Sequence, residues 1–362
     1  MNITIVGGGN VGTQFAVHCA AKGHKVKIYS SNPDLFSNEL EIVNSCGERL
    51  YLAKIESATN DPQEAFSQAE LIFITTPAFL AQKVFADIHS YIPRNTYIGF
   101  IPGIGGMECV FQDCLKKGCK LFGLQRVPSV ARLVEYGKKV CAEGYRGQLY
   151  VASLPGKYVE ECCKIIRHIF DIPCDALPNY LNLTLTPSNP ILHTVRLYSL
   201  FRDYYEGKRY AEASLFYEGW DMRSSDLLFL CDDEVQNICK ALVDFDLSYV
   251  KSLKEHYESG TAQQLMQKIR SITAFKGIKT PLKEVDGGYI PDFSSRYFIS
   301  DFAYGLTILY QVARFVQVPT PTIDMLLNWF RELRICNQSF DFSDYAITDF
   351  KTFQHFYSQS II

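Results

Sequence analysis

The sequence predicts a doubly wound α/β domain of Rossmann type followed by an all-α domain. Three observations carry this. First, a glycine turn, Gly7-Gly8-Gly9-Asn10-Val11-Gly12, separates a short apolar run, Ile3-Thr4-Ile5-Val6, from an amphipathic segment that extends to Lys22. This is the strand, G-x-G-x-x-G, helix order that a dinucleotide site requires. Second, apolar strand-like runs alternate with helical patterns up to Cys174–Leu177, as in a sheet built by parallel crossovers. Third, strands become scarce from Asn182 onward, where long periodic apolar segments take over: His193–Tyr205, Ser224–Asp244, Thr261–Ile272, Ser300–Val316 and Thr322–Arg334. The division expected is residues 1–182 for the dinucleotide and 183–362 for the substrate.

Composition narrows the function classes. The 362 residues are 47% hydrophobic and 21% charged, and the net charge is -3. No broad basic field suggests nucleic acid or an anionic membrane as partner. The longest apolar run, around Leu71–Ala81, is too short to span a bilayer. Met1 leads almost directly into the first strand, which leaves no room for a signal peptide. The 12 cysteines show neither C-x-x-C nor zinc spacing, so reduced thiols, a cytoplasmic location and no metal are expected. The 22 Tyr and 25 Phe fall mainly in the second half and imply an aromatic core or interface there. A monomer or a homodimer is expected.

Within the first turn, Gly7 permits the bend, Gly9 lets a pyrophosphate approach the backbone, and Gly12 lets helix and strand pack closely. Asn10 and Val11 open the helix whose N-terminal N–H groups and dipole face the phosphates. The second strand, Lys25–Tyr29, ends in Ser30-Ser31-Asn32, with no carboxylate before Asp34. An Asp or Glu at this place binds the ribose 2′-hydroxyl of NAD. Its absence, with Lys27 near, favours NADP, while NAD stays open because no arginine is present. The alternative is a plain turn before Pro33. Asp61–Ala69 reads as a helix before the strand Glu70–Ile74. Thr75, Thr76 and Pro77 close that strand where the cofactor lies in an open parallel sheet. Ala78–Ile92 is the next helix, and Tyr97–Pro102 the next strand. Gly103-Ile104-Gly105-Gly106 then allows either ligand approach or a structural turn.

Leu121–Leu124 leads into Arg132…Tyr136-Gly137-Lys138. Together with Pro102-Gly103-Ile104-Gly105-Gly106, this segment resembles the opine dehydrogenases, the octopine/nopaline dehydrogenase family. Pro128-Ser129-Val130-Ala131 departs from the family's pattern by lacking an aromatic after the proline. Three further segments extend the resemblance over nearly the whole chain. Asn189-Pro190-Ile191-Leu192-His193 matches the family's N-P-x-x-H, whose histidine is the catalytic acid/base. Tyr289–Leu306 matches P-D-F-x-x-R-Y-x-x-E-D-x-P-F-G-L, placing Arg296 and Asp301 on the functional arginine and aspartate, with Ser300, Ala303 and Tyr304 departing from it. Phe216-Tyr217-Glu218-Gly219-Trp220 and Val318–Asp324 also look like family segments.

The residue types fit these roles independently. Reduction of an imine or ketone by hydride needs a proton donor, and a histidine of ordinary pKa about 6.5 suits it. Asp301 can fix the imidazole tautomer, and the prediction is that it is hydrogen-bonded to His193 in an inter-domain cleft near the nicotinamide. Arg296 offers a planar fork for a substrate carboxylate. Arg132 binds a second carboxylate or forms an internal ion pair, and Asn189 is placed among the substrate contacts. Glu218, Asp232, Asp233 and Glu234 read as a solvated acidic face. The resemblance implies an NAD(P)H-dependent enzyme that joins an amino acid to an α-keto acid and reduces the imine. The rivals are a keto-acid reductase on the same plan and a dinucleotide sensor without turnover.

Overall fold

The computed structural model describes residues 1–186, 189–335 and 338–362. They form two compact units, Met1–Thr184 with Gln354–Ile362, and Leu185–Phe353. The C-terminal residues thus belong with the first unit, although the sequence placed everything after 182 in the second. The reason is packing inside that unit. The Tyr357 hydroxyl donates to the buried Glu108 carboxylate at 2.7 Å, and Ser360 Oγ accepts from the Tyr180 N–H at 2.9 Å.

The first unit contains strands β1 (Asn2–Val6), β2 (Lys25–Tyr29), β3 (Glu39–Val43), β4 (Arg49–Lys54), β5 (Ser57–Thr59), β6 (Leu71–Ile74), β7 (Tyr97–Phe100), β8 (Lys120–Leu124), β9 (Val130–Glu135), β10 (Lys139–Glu143), β11 (Leu149–Leu154) and β12 (Cys174–Ala176). Eight of them make one sheet in the order β12-β11-β8-β7-β6-β1-β2-β5. All neighbours are parallel except β11 and β8. The central strands are apolar on both faces, as a helix-covered parallel sheet requires: every residue of Leu71–Ile74 is buried. The remaining four strands form a second sheet, β4-β3-β10-β9, which the sequence reading did not separate. The Arg132–Lys138 segment lies on its β9 edge and the turn that follows.

The second unit is mainly helical: Asn189–Phe201, Met222–Ala241, Ala262–Ser271, Thr307–Phe315 and Pro321–Glu332 are its long helices. It adds one hairpin, β13 (Leu282–Val285) and β14 (Gly288–Pro291), that an all-α expectation omits. Two local expectations are corrected here. The helix expected to begin at Thr322, with that residue as its cap, begins at Pro321 instead: Thr320 holds the N-cap position without a side-chain cap, and Thr322 lies inside the first turn. Asp232 and Glu234 are not solvated; both are buried and occupy helix starts. Glu234 accepts from the N–H groups of Thr322 and Ile323 at 2.7 and 3.0 Å, and Asp232 accepts from Leu253 N–H at 2.7 Å. Among the described residues, no helix is long and apolar enough to cross a membrane.

Candidate active site

The glycine turn of the first unit does what its spacing predicts. Gly7 sits at φ +102°, a conformation that favours glycine. A Cβ on Gly12 would lie 1.9 Å from Gly7 O, so helix and turn approach too closely for any side chain. A Cβ on Gly9 would meet nothing within 4 Å, which leaves space above the turn. Gly9 also heads the Asn10–Ala21 helix without a side-chain cap, so the first-turn N–H groups face that space without a protein partner from a capping side chain. Thr76 Oγ1, beside Gly7, is buried without a hydrogen-bond partner among the described residues. These features fit a dinucleotide pyrophosphate.

Other predicted cofactor residues have more divided duties. Thr75 Oγ1 donates to Val6 O at 2.9 Å and holds the turn rather than facing away from it. Asn10 Oδ1 accepts from Leu133 N–H at 2.8 Å, tying the helix start to β9. Pro77 is exposed past the end of β6. Ser30 is buried against the Tyr136 hydroxyl at 3.2 Å, while Ser31 and Asn32 are exposed. Lys27 is committed elsewhere, to Glu64 O at 3.0 Å and Glu56 at 3.6 Å, so it offers no ready charge for a 2′-phosphate. Two aromatics that the sequence did not assign to the cofactor border this region. Phe36 lies against Gly8, where a Cβ would come within 2.2 Å of its ring, and Tyr136 packs edge-on to Phe36 at 5.3 Å. Gly103 proves to be a packing glycine: a Cβ there would sit 2.8 Å from Gly123 Cα.

The second unit gathers the other chemistry. His193 lies on the Asn189–Phe201 helix; Asn189 heads it and is exposed, while Pro187 and Ser188, which precede the motif, lie outside the described residues. Asp301 does not start a helix, as the sequence suggested. It opens a π-helical stretch, Asp301–Leu306, inside a run that continues to Phe315. Such bulges re-aim side chains and recur at functional sites. Gly305 lets the two segments meet, since a Cβ there would come within 2.5 Å of Pro190. The result is a 2.7 Å hydrogen bond from His193 Nδ1 to Asp301 Oδ2, with 2% and 13% of the two side chains exposed.

His193 Nε2 is also engaged, at 2.7 Å from the Tyr217 hydroxyl. A carboxylate only accepts, so Nδ1 carries hydrogen, and Nε2 of the neutral ring accepts from the phenol. Burial holds the Tyr217 phenol well above its ordinary range, helped by Tyr297, Tyr257 and Asp301 and opposed by Arg296. The Tyr297 ring lies over the imidazole at 4.2 Å, and the Arg296 guanidinium lies 5.3 Å from the Tyr297 ring. Arg296 itself is exposed, so its planar fork is open to an anion. Arg132, by contrast, is on β9 of the first unit, opposite Cys141. Arg196, three residues after His193, is the organising group the sequence reading missed. Buried at 2% exposure, it donates to Phe216 O at 3.0 Å and to Asp221 at 2.9 Å. That clamps the Phe216–Asp221 segment and holds Tyr217 against the histidine. Its only sequence signal is an arginine on the apolar face of a helix.

Comparison with known proteins gives this arrangement a family. The octopine/nopaline dehydrogenase α-helical domain matches residues 176–334, and the N-terminal domain of NAD-dependent glycerol-3-phosphate dehydrogenase matches residues 2–117. The opine dehydrogenase of Haliotis discus hannai is 31% identical over 304 residues, covering 77% of this chain and 73% of that protein. The chain belongs to the opine dehydrogenase family. It is an NAD(P)-dependent oxidoreductase of opine type. The octopine dehydrogenase of Mizuhopecten yessoensis is 28% identical over 289 residues, 76% of this chain and 72% of that one. The fold follows the same line. An octopine dehydrogenase structure with NADH and L-arginine superposes with a TM-score of 0.83, at 23% identity, over 98% of this chain and 97% of that one.

Proposed function

We propose that this opine dehydrogenase condenses the amine of an amino acid with an α-keto acid and reduces the resulting imine to a secondary amine. His193 is the proton donor, Asp301 holds its tautomer and stabilises the charged ring, and Arg296 binds a substrate carboxylate. The observation that carries this reading is the buried His193–Asp301 hydrogen bond beside an arginine open to anions. When bound, the reduced nicotinamide supplies the hydride. The chain's own part is proton delivery and carboxylate recognition, the usual division in cofactor enzymes. Asn189, at the exposed head of the same helix, serves as a further substrate contact, and Arg132 as a site for the second carboxylate.

The absence of a carboxylate at Ser30-Ser31-Asn32 favours NADPH, with the exposed Ser31 and Asn32 as donors to the 2′-phosphate. The commitment of Lys27 to Glu56 keeps that preference modest. The test is a screen of NADPH and NADH oxidation over pairs of keto acids and amino acids. Oxidation that requires both partners, faster with NADPH, is the expected result. Equal rates with the keto acid alone would leave a simple reductase, and tight cofactor binding without any turnover would leave a sensor.

A further inference from the structure

His193 presents no free nitrogen. Nδ1 is held by Asp301 and Nε2 by the Tyr217 hydroxyl, and the ring is 2% exposed. The phenol is not placed to swing aside. Its ring stacks on Phe275 at 4.1 Å and 17°, and on Trp220 at 6.5 Å and 11°. Its backbone segment is pinned by Arg196 through Phe216 O and Asp221. A proton that leaves Nε2 therefore meets the Tyr217 oxygen first.

We infer that Tyr217 is the relay through which the His193–Asp301 pair delivers its proton to the substrate, a step that rests on the reading of this site as an imine-reducing one. In the resting state the neutral imidazole accepts from the phenol. Once His193 takes a proton from solvent, both its nitrogens donate, and the phenol turns its O–H outward toward the substrate nitrogen. As the carbon of the C=N bond gains hydride, its π pair moves to nitrogen. Nitrogen takes the proton of the Tyr217 O–H, and the Tyr217 oxygen takes the Nε2 proton. The ring ends neutral, Nδ1–H still on Asp301, and no phenolate accumulates. This suits a buried phenol whose ionisation is held far above neutrality. Burial first, then Tyr297, Tyr257 and Asp301, oppose a negative oxygen at Tyr217, while Arg296 and the protonated His193 ring at 2.7 Å favour it.

The test is Tyr217→Phe, which keeps the stacking ring and removes the hydroxyl. We expect kcat to fall about 10²-fold, the lower end of what a positioned acid contributes, with the KM for the keto acid changed less than about two-fold. Proton inventories in mixed H2O and D2O should be curved for the wild type, with two protons in flight, and linear for the variant. In the cofactor-free protein, 15N signals of His193 should show Nδ1–H and a hydrogen-bonded Nε2, and the variant should move the Nε2 signal toward that of a free lone pair. An unchanged kcat, or a linear inventory in the wild type, would overturn the relay while leaving the opine reading in place. A wild type that turns over no substrate pair would remove the opine reading instead. The relay is then judged on the nitrogen signal, and an Nε2 signal unmoved by Tyr217→Phe would overturn it.

Discussion

The chain buries two histidines against tyrosine hydroxyls, one in each unit. His18, on the Asn10–Ala21 helix, is 3% exposed and lies 2.9 Å from the Tyr145 hydroxyl through Nε2. His193 is 2% exposed and lies 2.7 Å from the Tyr217 hydroxyl through the same atom. The difference is the third partner. No carboxylate is hydrogen-bonded to His18 among the described residues. Burial, with the Lys22 charge adding and Asp171 partly opposing, depresses its pKa to about 4. That ring stays neutral through the physiological range and serves the core. His193 has Asp301 on Nδ1, at the point where a π-helical turn aims a carboxylate inward. The two buried His–Tyr pairs thus differ by one group, a carboxylate on Nδ1, and the proton role proposed for His193 rests on that group.

The sharpest way to break this comparison is to make His193 resemble His18. Asp301→Asn keeps the shape and removes the charge, and the amide can favour the wrong tautomer. It should lower kcat by about 10²–10⁴, the scale of general acid/base catalysis, and His193→Ala should do the same. In steady-state assays the double variant should be little slower than the slower single one, because the pair acts as a unit. Fully additive losses would mean that the two residues work separately.

The next largest effect lies on the other histidine. Because the folded-state pKa of His18 is below the unfolded value, its neutral form contributes stability that is complete above about pH 6.5 and lost as pH falls toward 4. The shift corresponds to about 3 kcal/mol. Urea unfolding between pH 7 and pH 4 should show wild type losing more stability than His18→Gln by about this amount. Parallel curves for the two proteins would show that His18 charges without cost, and the contrast between the histidines would lose its basis.

The smallest expected effect concerns the arginine beside the second pair. Arg296→Lys replaces a bidentate fork with a point charge, a loss of roughly 1.5–3 kcal/mol if one charged hydrogen bond to substrate disappears. The KM for one substrate should rise, while cofactor affinity measured by fluorescence titration stays the same. Unchanged KM values for both substrates would remove Arg296 from the site and leave the comparison to the dyad alone.

Much of this molecule was legible in local sequence because local rules govern it. The Gly7–Gly12 spacing prescribes a turn with space above Gly9 and none at Gly12, since backbone geometry leaves few alternatives. The alternation of apolar runs set the parallel sheet, and the N-P-x-x-H and Arg296…Asp301 segments set the family. Tertiary structure decided what depends on distant partners. Asp232 and Glu234 look like surface acids in sequence, yet each is buried where another helix offers unpaired N–H groups. Lys27 is drawn away by Glu56 and a carbonyl, and Asn10 by a strand edge more than a hundred residues later. Tyr217 lies in a segment that resembles the family, yet nothing local pairs it with His193, because its place depends on Arg196 clamping one segment and on Gly305 and a π turn admitting another. The sequence by itself determined which chemical groups the protein owns and the family to which they belong. Only the packing decided which of those groups stand within hydrogen-bond distance, because contact between residues far apart in the chain is fixed by the whole fold and by no segment of it.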